Sequence, residues 1–235
     1  MLPALAFGEA SVANQLRAKM QLIDSVIFDV GNVLLDWDPR HLYRKLFADQ
    51  DRMEWFLANI CTPTWNVEQD RGRSFVEAVA ELAARHPQWE REIRAFDERW
   101  DETVAGEIAG SVALLRSLKG KVALYAITNF SREKYALSLE RFPFLNEFDG
   151  VVVSGHEGLL KPDLAIYRLF LERYGCEAKR CLFIDDSQRN VDAAREIGMH
   201  AIRFRGTVEL AVELAGFGLL TAAGPAGARL DHHGG

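Results

Sequence analysis

Apolar positions along the chain follow two rhythms. Val26, Ile27 and Phe28 form a short run, β-branched or aromatic, with no polar interruption. Such a run predicts a strand over 25–29 that is buried on both faces, as in a parallel sheet. From Gly106 onward, runs of this kind alternate with stretches of helical spacing. Ile108, Val112, Leu115 and Leu118 mark a helix that stops at Gly120, and a strand follows over 122–127. Ser131 caps the next helix, which carries Tyr135 and Leu139, and Val151, Val152 and Val153 make the next strand. A loop to Lys161-Pro162 leads into a helix with Ile166, Tyr167, Phe170 and Tyr174, ended by Gly175. A strand over 181–184, a helix with Val191, Ala194 and Ile197, and a strand over 201–204 complete the series. Strand-helix-strand repetition predicts an α/β fold, a parallel sheet with helices on both faces.

Between the first two strands the pattern is helical throughout. Asp38-Pro39 reads as an N-cap with proline in the first turn, before Leu42, Tyr43, Leu46 and Phe47 at helical spacing. Met53, Phe56, Leu57 and Ile60 mark a second helix, and Thr62-Pro63-Thr64 reads as its break. Ser74-Phe75-Val76-Glu77 has the form of a capping box. Trp89, Ile93, Phe96 and Trp100 form a further stripe, expected to be this block's own core. The predicted organisation is an α/β core over 22–37 and 104–220, a helical block over 38–103, an N-terminal extension over 1–21 and a disordered tail over 221–235. His232-His233 in that tail is read as solvated.

Composition narrows the function classes. Hydrophobic residues make up 49% and charged residues 26%, as in an ordinary globular protein. With 28 Lys+Arg against 34 Asp+Glu the formal charge is −6, which argues against nucleic-acid binding. No apolar run is long enough to span a membrane. Cys61, Cys176 and Cys181 are scattered and form no metal motif, so free thiols and a cytoplasmic location are expected. A monomer or homodimer that acts on a small molecule fits these limits.

Reactive side chains cluster at predicted strand ends: Asp29, Thr128-Asn129 and Asp185-Asp186, with Lys161 in a loop between them. A parallel sheet brings such ends to one edge, where ligands bind. Gly31 is expected to adopt a backbone conformation that a Cβ would resist.

In order along the chain, Phe28-Asp29-Val30-Gly31-Asn32-Val33-Leu34, Ile127-Thr128-Asn129, Gly158-Leu159-Leu160-Lys161-Pro162-Asp163 and Phe183-Ile184-Asp185-Asp186-Ser187 resemble the four motifs of the haloacid dehalogenase-like hydrolase superfamily. The resemblance covers about 26–198 and extends, through Asp36-Trp37-Asp38, to a bacterial subgroup that includes sugar-1-phosphate phosphatases. It implies a Rossmann-like core with an α-helical cap inserted after the first strand, and a Mg²⁺-dependent phosphatase acting on a small phosphorylated metabolite, sugar phosphates included. Asp29 is then the nucleophile that forms an aspartyl-phosphate. Mg²⁺ is held by Asp29, the Gly31 carbonyl, Asp186 and Asp185. Lys161 and Thr128 serve catalysis, and Thr128, Asn129, Lys161, Gly31 and Asn32 serve phosphate binding. Arg71, Gly72 and Trp37 are candidates for substrate contact from the cap side, with Arg40, Trp65 and Arg73 behind them.

One departure stands out. Most phosphatases of the superfamily carry a second Asp two residues after the nucleophile, as acid for the leaving group. This chain has Gly31 there, as the resembling subgroup does. Asp36 is the nearby substitute in sequence. A 2-haloacid dehalogenase and a weakly catalytic binding protein are the alternative readings. Gly31, where that dehalogenase branch has an aromatic residue, and the Asp185-Asp186 pair count against the first.

Overall fold

Strand β1 (Ser25–Phe28) is fully packed, and Val26, Ile27 and Phe28 have no exposed surface. The computed structural model describes residues 23–220; the readings made for 1–21 and 221–235, His232-His233 among them, lie outside the described residues. After β1 the chain turns through Gly31 and Asn32 into β2 (Leu35–Trp37). It then runs through α1 (Arg40–Tyr43), α2 (Gln50–Asn59), α3 (Pro63–Asp70), α4 (Phe75–Arg85) and α5 (Glu90–Glu98). It returns by β3 (Val104–Glu107), which pairs antiparallel with β2: Leu35 faces Glu107 and Trp37 faces Val104. This ribbon was not predicted. Strands of three and four residues are too short to show a period.

The helical block has its own aromatic core, as its stripes predicted. Tyr43 and Phe56 pack with ring centroids 5.0 Å apart, and Trp65 meets Phe96 edge-on at 5.2 Å. Two local signals read differently in the structure. Thr62-Pro63 does not only end α2; it also opens α3, with the Thr62 hydroxyl accepting from the Trp65 N–H at 3.0 Å. Ser74 stands at the N-cap of α4, but its side chain makes no capping bond. The Phe75 N–H instead goes to Glu133 at 3.2 Å, a partner that local sequence could not reveal.

The remaining chain builds the sheet. β4 (Ala123–Thr128), β5 (Gly150–Val153), β6 (Cys181–Asp185) and β7 (His200–Arg203) join β1 in the order β5-β4-β1-β6-β7, every pair parallel. Successive side chains point to opposite faces, so each face has a separate core. Val26, Phe28, Leu124 and Ile184 pack with Leu115 of α6 (Ala109–Leu118) and Leu214 of α11 (Thr207–Gly216). Ile27, Ile127 and Phe183 pack with Phe170 of α9 (Leu164–Tyr174) and Ala194 of α10 (Gln188–Glu196). β1 has β4 on one side and β6 on the other, so the chain changes direction across it. That is where an open α/β sheet forms a crevice.

The helical block docks on the core beside this crevice. Three consecutive residues at the start of α7 (Arg132–Arg141) hold it: Arg132 donates to the Gly72 carbonyl at 3.0 Å, Glu133 accepts from Phe75, and Lys134 pairs with Asp97. The backbones approach closely there. A Cβ on Gly72, whose φ is +111°, would lie 2.9 Å from the Gly155 carbonyl, and one on Gly155 would lie 2.5 Å from the Arg132 nitrogen. Gly155 lies in α8 (Ser154–Glu157). The added methyl of Gly155→Ala should therefore destabilise the fold by about 1–3 kcal/mol in chemical denaturation, as overpacking does. A change near zero would mean that this contact is looser than the structure shows.

Candidate active site

Asp29 stands at the carboxyl end of β1, and its N–H still bonds the Ile184 carbonyl of β6 at 2.8 Å. Its carboxylate accepts from the Val30 N–H at 2.7 Å and lies 2.8 Å from Lys161 Nζ. The same ammonium lies 2.6 Å from Asp185 Oδ2. Asp185 also accepts from the Ser187 N–H at 2.8 Å and from Asn190 Nδ2 at 3.0 and 3.1 Å. Asp29, Lys161 and Asp185 are all buried. Asp186 is half-buried, and ligand oxygens of Asp29, Asp185 and Asp186 lie within 4.8 Å of one another.

The charges of this cluster do not cancel. Burial pushes the Asp29 carboxyl up, to about 8, against the pull of Lys161 and with added push from Asp185 and Asp186. Burial and Asp185 likewise raise Asp186. Burial opposes the Lys161 charge, but Asp185 and Asp29 outweigh it and keep that amine above its usual value. One ammonium among three acids stays charged, while the acids compete for it.

Thr128 ends β4 beside this cluster. Its hydroxyl is buried and has no hydrogen-bond partner among the described residues. The Asn129 side chain clamps the Lys161 backbone, accepting from its N–H at 2.8 Å and donating to its carbonyl at 3.0 Å. Gly31 departs from expectation. A Cβ there would meet nothing within 4 Å, and the left-handed residue is Asn32, with φ 56°. Asn32 Oδ1 accepts from the Trp37 N–H at 3.2 Å. An Asn tolerates that conformation through short local hydrogen bonds.

A cavity opens next to Gly31 and Asn129, between core and helical block, and Leu35, Trp37, Phe75, Trp100 and Phe130 line it. Asn66, Asp70, Val104 and Ser131 complete the lining. A larger neighbouring cavity shares Trp37 and Asn66 and is walled by Asp36, Arg40 and Glu54. Of the residues proposed for substrate contact, Trp37 reaches both cavities and Arg40 only the second, where it is held by Glu54 at 2.7 Å. Arg71 is exposed and 3.8 Å from Glu68, Arg73 pairs with Glu81, and Trp65 packs inside the block; none of the three lines either cavity. Gly72 is occupied with docking. Asp36 contacts His41 at 3.1 Å and lines the second cavity but not the one beside Gly31. Sequence reasoning passed over Asp70, which no local pattern marks.

Residues 23–198 match the family model of the haloacid dehalogenase-like hydrolases. The chain is 29% identical over 192 residues to the sesquiterpene phosphatase astK of Aspergillus oryzae, a match covering 81% of this chain and 94% of that protein. It is 24% identical over 191 residues to the fructose-1-phosphate phosphatase YqaB of Escherichia coli, covering 77% and 95%. A haloacid dehalogenase (HAD) family enzyme of Bacteroides thetaiotaomicron, solved with magnesium and inorganic phosphate, shares the fold at a TM-score of 0.64 and 22% identity, covering 78% and 95%. The family match takes in β1, β4 and β6 and the loops that carry Asp29, Thr128, Lys161 and Asp185, so the chain belongs to the haloacid dehalogenase-like hydrolase family.

Proposed function

We propose that this hydrolase is a Mg²⁺-dependent phosphatase that cleaves a small phosphorylated metabolite through an aspartyl-phosphate on Asp29. The observation that carries the reading is the cluster itself: one carboxylate at the tip of β1, two at the tip of β6 and one shared ammonium. Three acids against one lysine fit a divalent cation, and the donors are all oxygen, as Mg²⁺ prefers. Asp29, Asp186 and the Gly31 carbonyl would hold it, with Asp185 behind. A cation so held would offset the negative charge of the attacking carboxylate and of the ester.

The chain's own groups do the rest. Asp29 attacks phosphorus, and water later releases phosphate from it. Lys161 keeps Asp29 oriented and offers positive charge to the ester. The unpartnered Thr128 hydroxyl and the Asn129 N–H are suited to bind phosphoryl oxygens as charge builds in the transition state. The helical block acts as a cap that closes the crevice from water. Free thiols at Cys61, Cys176 and Cys181 support a reducing, cytoplasmic setting. Among the described residues no helix is long and apolar enough to cross a membrane.

Sugar phosphates are one candidate class, and the similarity to a fructose-1-phosphate phosphatase supports them. The cavity beside Gly31 favours another. Its mainly aromatic and aliphatic lining suits an ester with an apolar organic group, and offers sugar hydroxyls only Asn66, Asp70, Asn129 and Ser131 as partners. The similarity to a sesquiterpene phosphatase points the same way.

Four measurements test this reading. Asp29→Asn should reduce Mg²⁺-dependent hydrolysis of p-nitrophenyl phosphate to background, and EDTA should do the same to the parent protein; turnover that survives both would sink the mechanism. Chloride release from 2-chloropropionate is expected to be absent. Mg²⁺ binding followed by calorimetry should tighten as pH rises toward about 8, because burial holds a proton on Asp29 that the cation must displace. A pH-independent affinity would contradict that coupling. Across a panel of monophosphates, prenyl or alkyl esters should exceed sugar phosphates in kcat/KM by about tenfold or more, the equivalent of about two buried methylenes. The reverse order would restore the sugar-phosphate assignment.

A further inference from the structure

Hydrolysis of an alkyl phosphate needs a proton for the departing oxygen, and position 31 has no side chain to give one. The space is there, since a Cβ on Gly31 would meet nothing within 4 Å. Of the described residues lining the adjoining cavity, Asp70 alone is ionisable. It ends α3, and the structure fixes it in place. Its backbone carbonyl accepts from the Ser154 hydroxyl at 2.5 Å, and the same hydroxyl accepts from the Phe130 N–H at 2.9 Å. Two residues on, Arg132 holds the Gly72 carbonyl at 3.0 Å. The turn that carries Asp70 is thus pinned to the loop that follows Thr128-Asn129. Asn66 Nδ2 donates to Asp70 Oδ2 at 3.2 Å.

We propose that Asp70, supplied by the helical block, is the acid that protonates the leaving-group oxygen in place of a side chain at position 31. The assignment rests on the phosphatase reading above. As the Asp29 oxygen bonds to phosphorus, the bond from phosphorus to the ester oxygen breaks, and the Asp70 carboxyl passes its proton to that oxygen, which leaves as the alcohol. The Asp70 carboxylate then takes a proton from the water that attacks the aspartyl-phosphate. Inorganic phosphate departs, and Asp29 and Asp70 return to their starting states. Burial suits Asp70 to this cycle by pushing its carboxyl to about 7, against the pull of the Ser131 N–H. A position at the negative end of a helix dipole acts in the same direction. Asp36 cannot serve, because it pairs with His41 and lines the other cavity but not this one.

The test is leaving-group dependence. p-Nitrophenolate departs without help, whereas hexanolate needs a proton. With Mg²⁺ present, Asp70→Asn should slow the first-turnover release of hexanol from n-hexyl phosphate by about 10²-fold or more, the scale of general acid catalysis. First-turnover release of p-nitrophenolate should fall by at least about tenfold less, while steady-state turnover of both esters also falls through the shared water step. Asp70→Ser, which lacks the amide, should give the same split and guards against a folding defect peculiar to one variant. Equal first-turnover losses on both esters, or no loss on either, would overturn the assignment and leave the phosphatase reading intact. If the parent protein releases phosphate from neither ester, the phosphatase reading falls, and the role of Asp70 falls with it.

Discussion

The Lys161 ammonium sits between the carboxylates of Asp29 and Asp185, at 2.8 and 2.6 Å, where almost no water reaches. Taking each of these charges out of water costs several kcal/mol, so the group persists only because the partners compensate one another. Asp186 adds a third carboxylate, which leaves the sheet edge with two negative charges more than its lysine can balance. At an effective dielectric near 20, unit charges 4 Å apart interact by about 4 kcal/mol. The cluster therefore holds protons, takes up a cation, or both. An anionic ester is accepted at such a place only once that excess is neutralised. The same requirement explains why Asn190, Ser187 and Val30 turn donors toward these acids.

The fold supplies that cluster by topology. Asp29, Thr128 and Asp185 close strands that are neighbours in space though widely separated in sequence, and the Asn129 side chain ties the Lys161 loop to them. Apolar burial fixes the strands: Val26, Ile27 and Phe28 each contribute about 1.5–3 kcal/mol. Polar contacts finish the site, because they alone have the directionality to set a side chain within a few tenths of an ångström.

The helical block is held differently. Its interior is aromatic, but its seat on the core uses Arg132, Glu133, Lys134 and the Ser154 hydroxyl, together with a glycine-to-glycine approach at 72 and 155. Three of these holding residues start the helix that follows Thr128-Asn129. Docking of the block and placement of Thr128-Asn129 beside the acidic cluster therefore share one short segment. Apolar packing joins these contacts there, with Trp100 of the block and Phe130 of the core 5.4 Å apart between ring centroids.

The alternation of buried runs and helical stripes was enough to predict the parallel sheet, its covering helices and the inserted block, because burial on two faces demands that pattern. The reactive residues at the strand ends were legible for the same reason, since a run that stops at Asp29 or Asp185 leaves the acid at the sheet edge. What the sequence could not contain was distance. The β2-β3 ribbon, the Glu133 cap on α4, the open space at Gly31 and the position of Asp70 each depend on segments that meet only after folding. Local pattern records which face of an element is apolar. Which charged group arrives opposite it is decided by the packing of the whole chain.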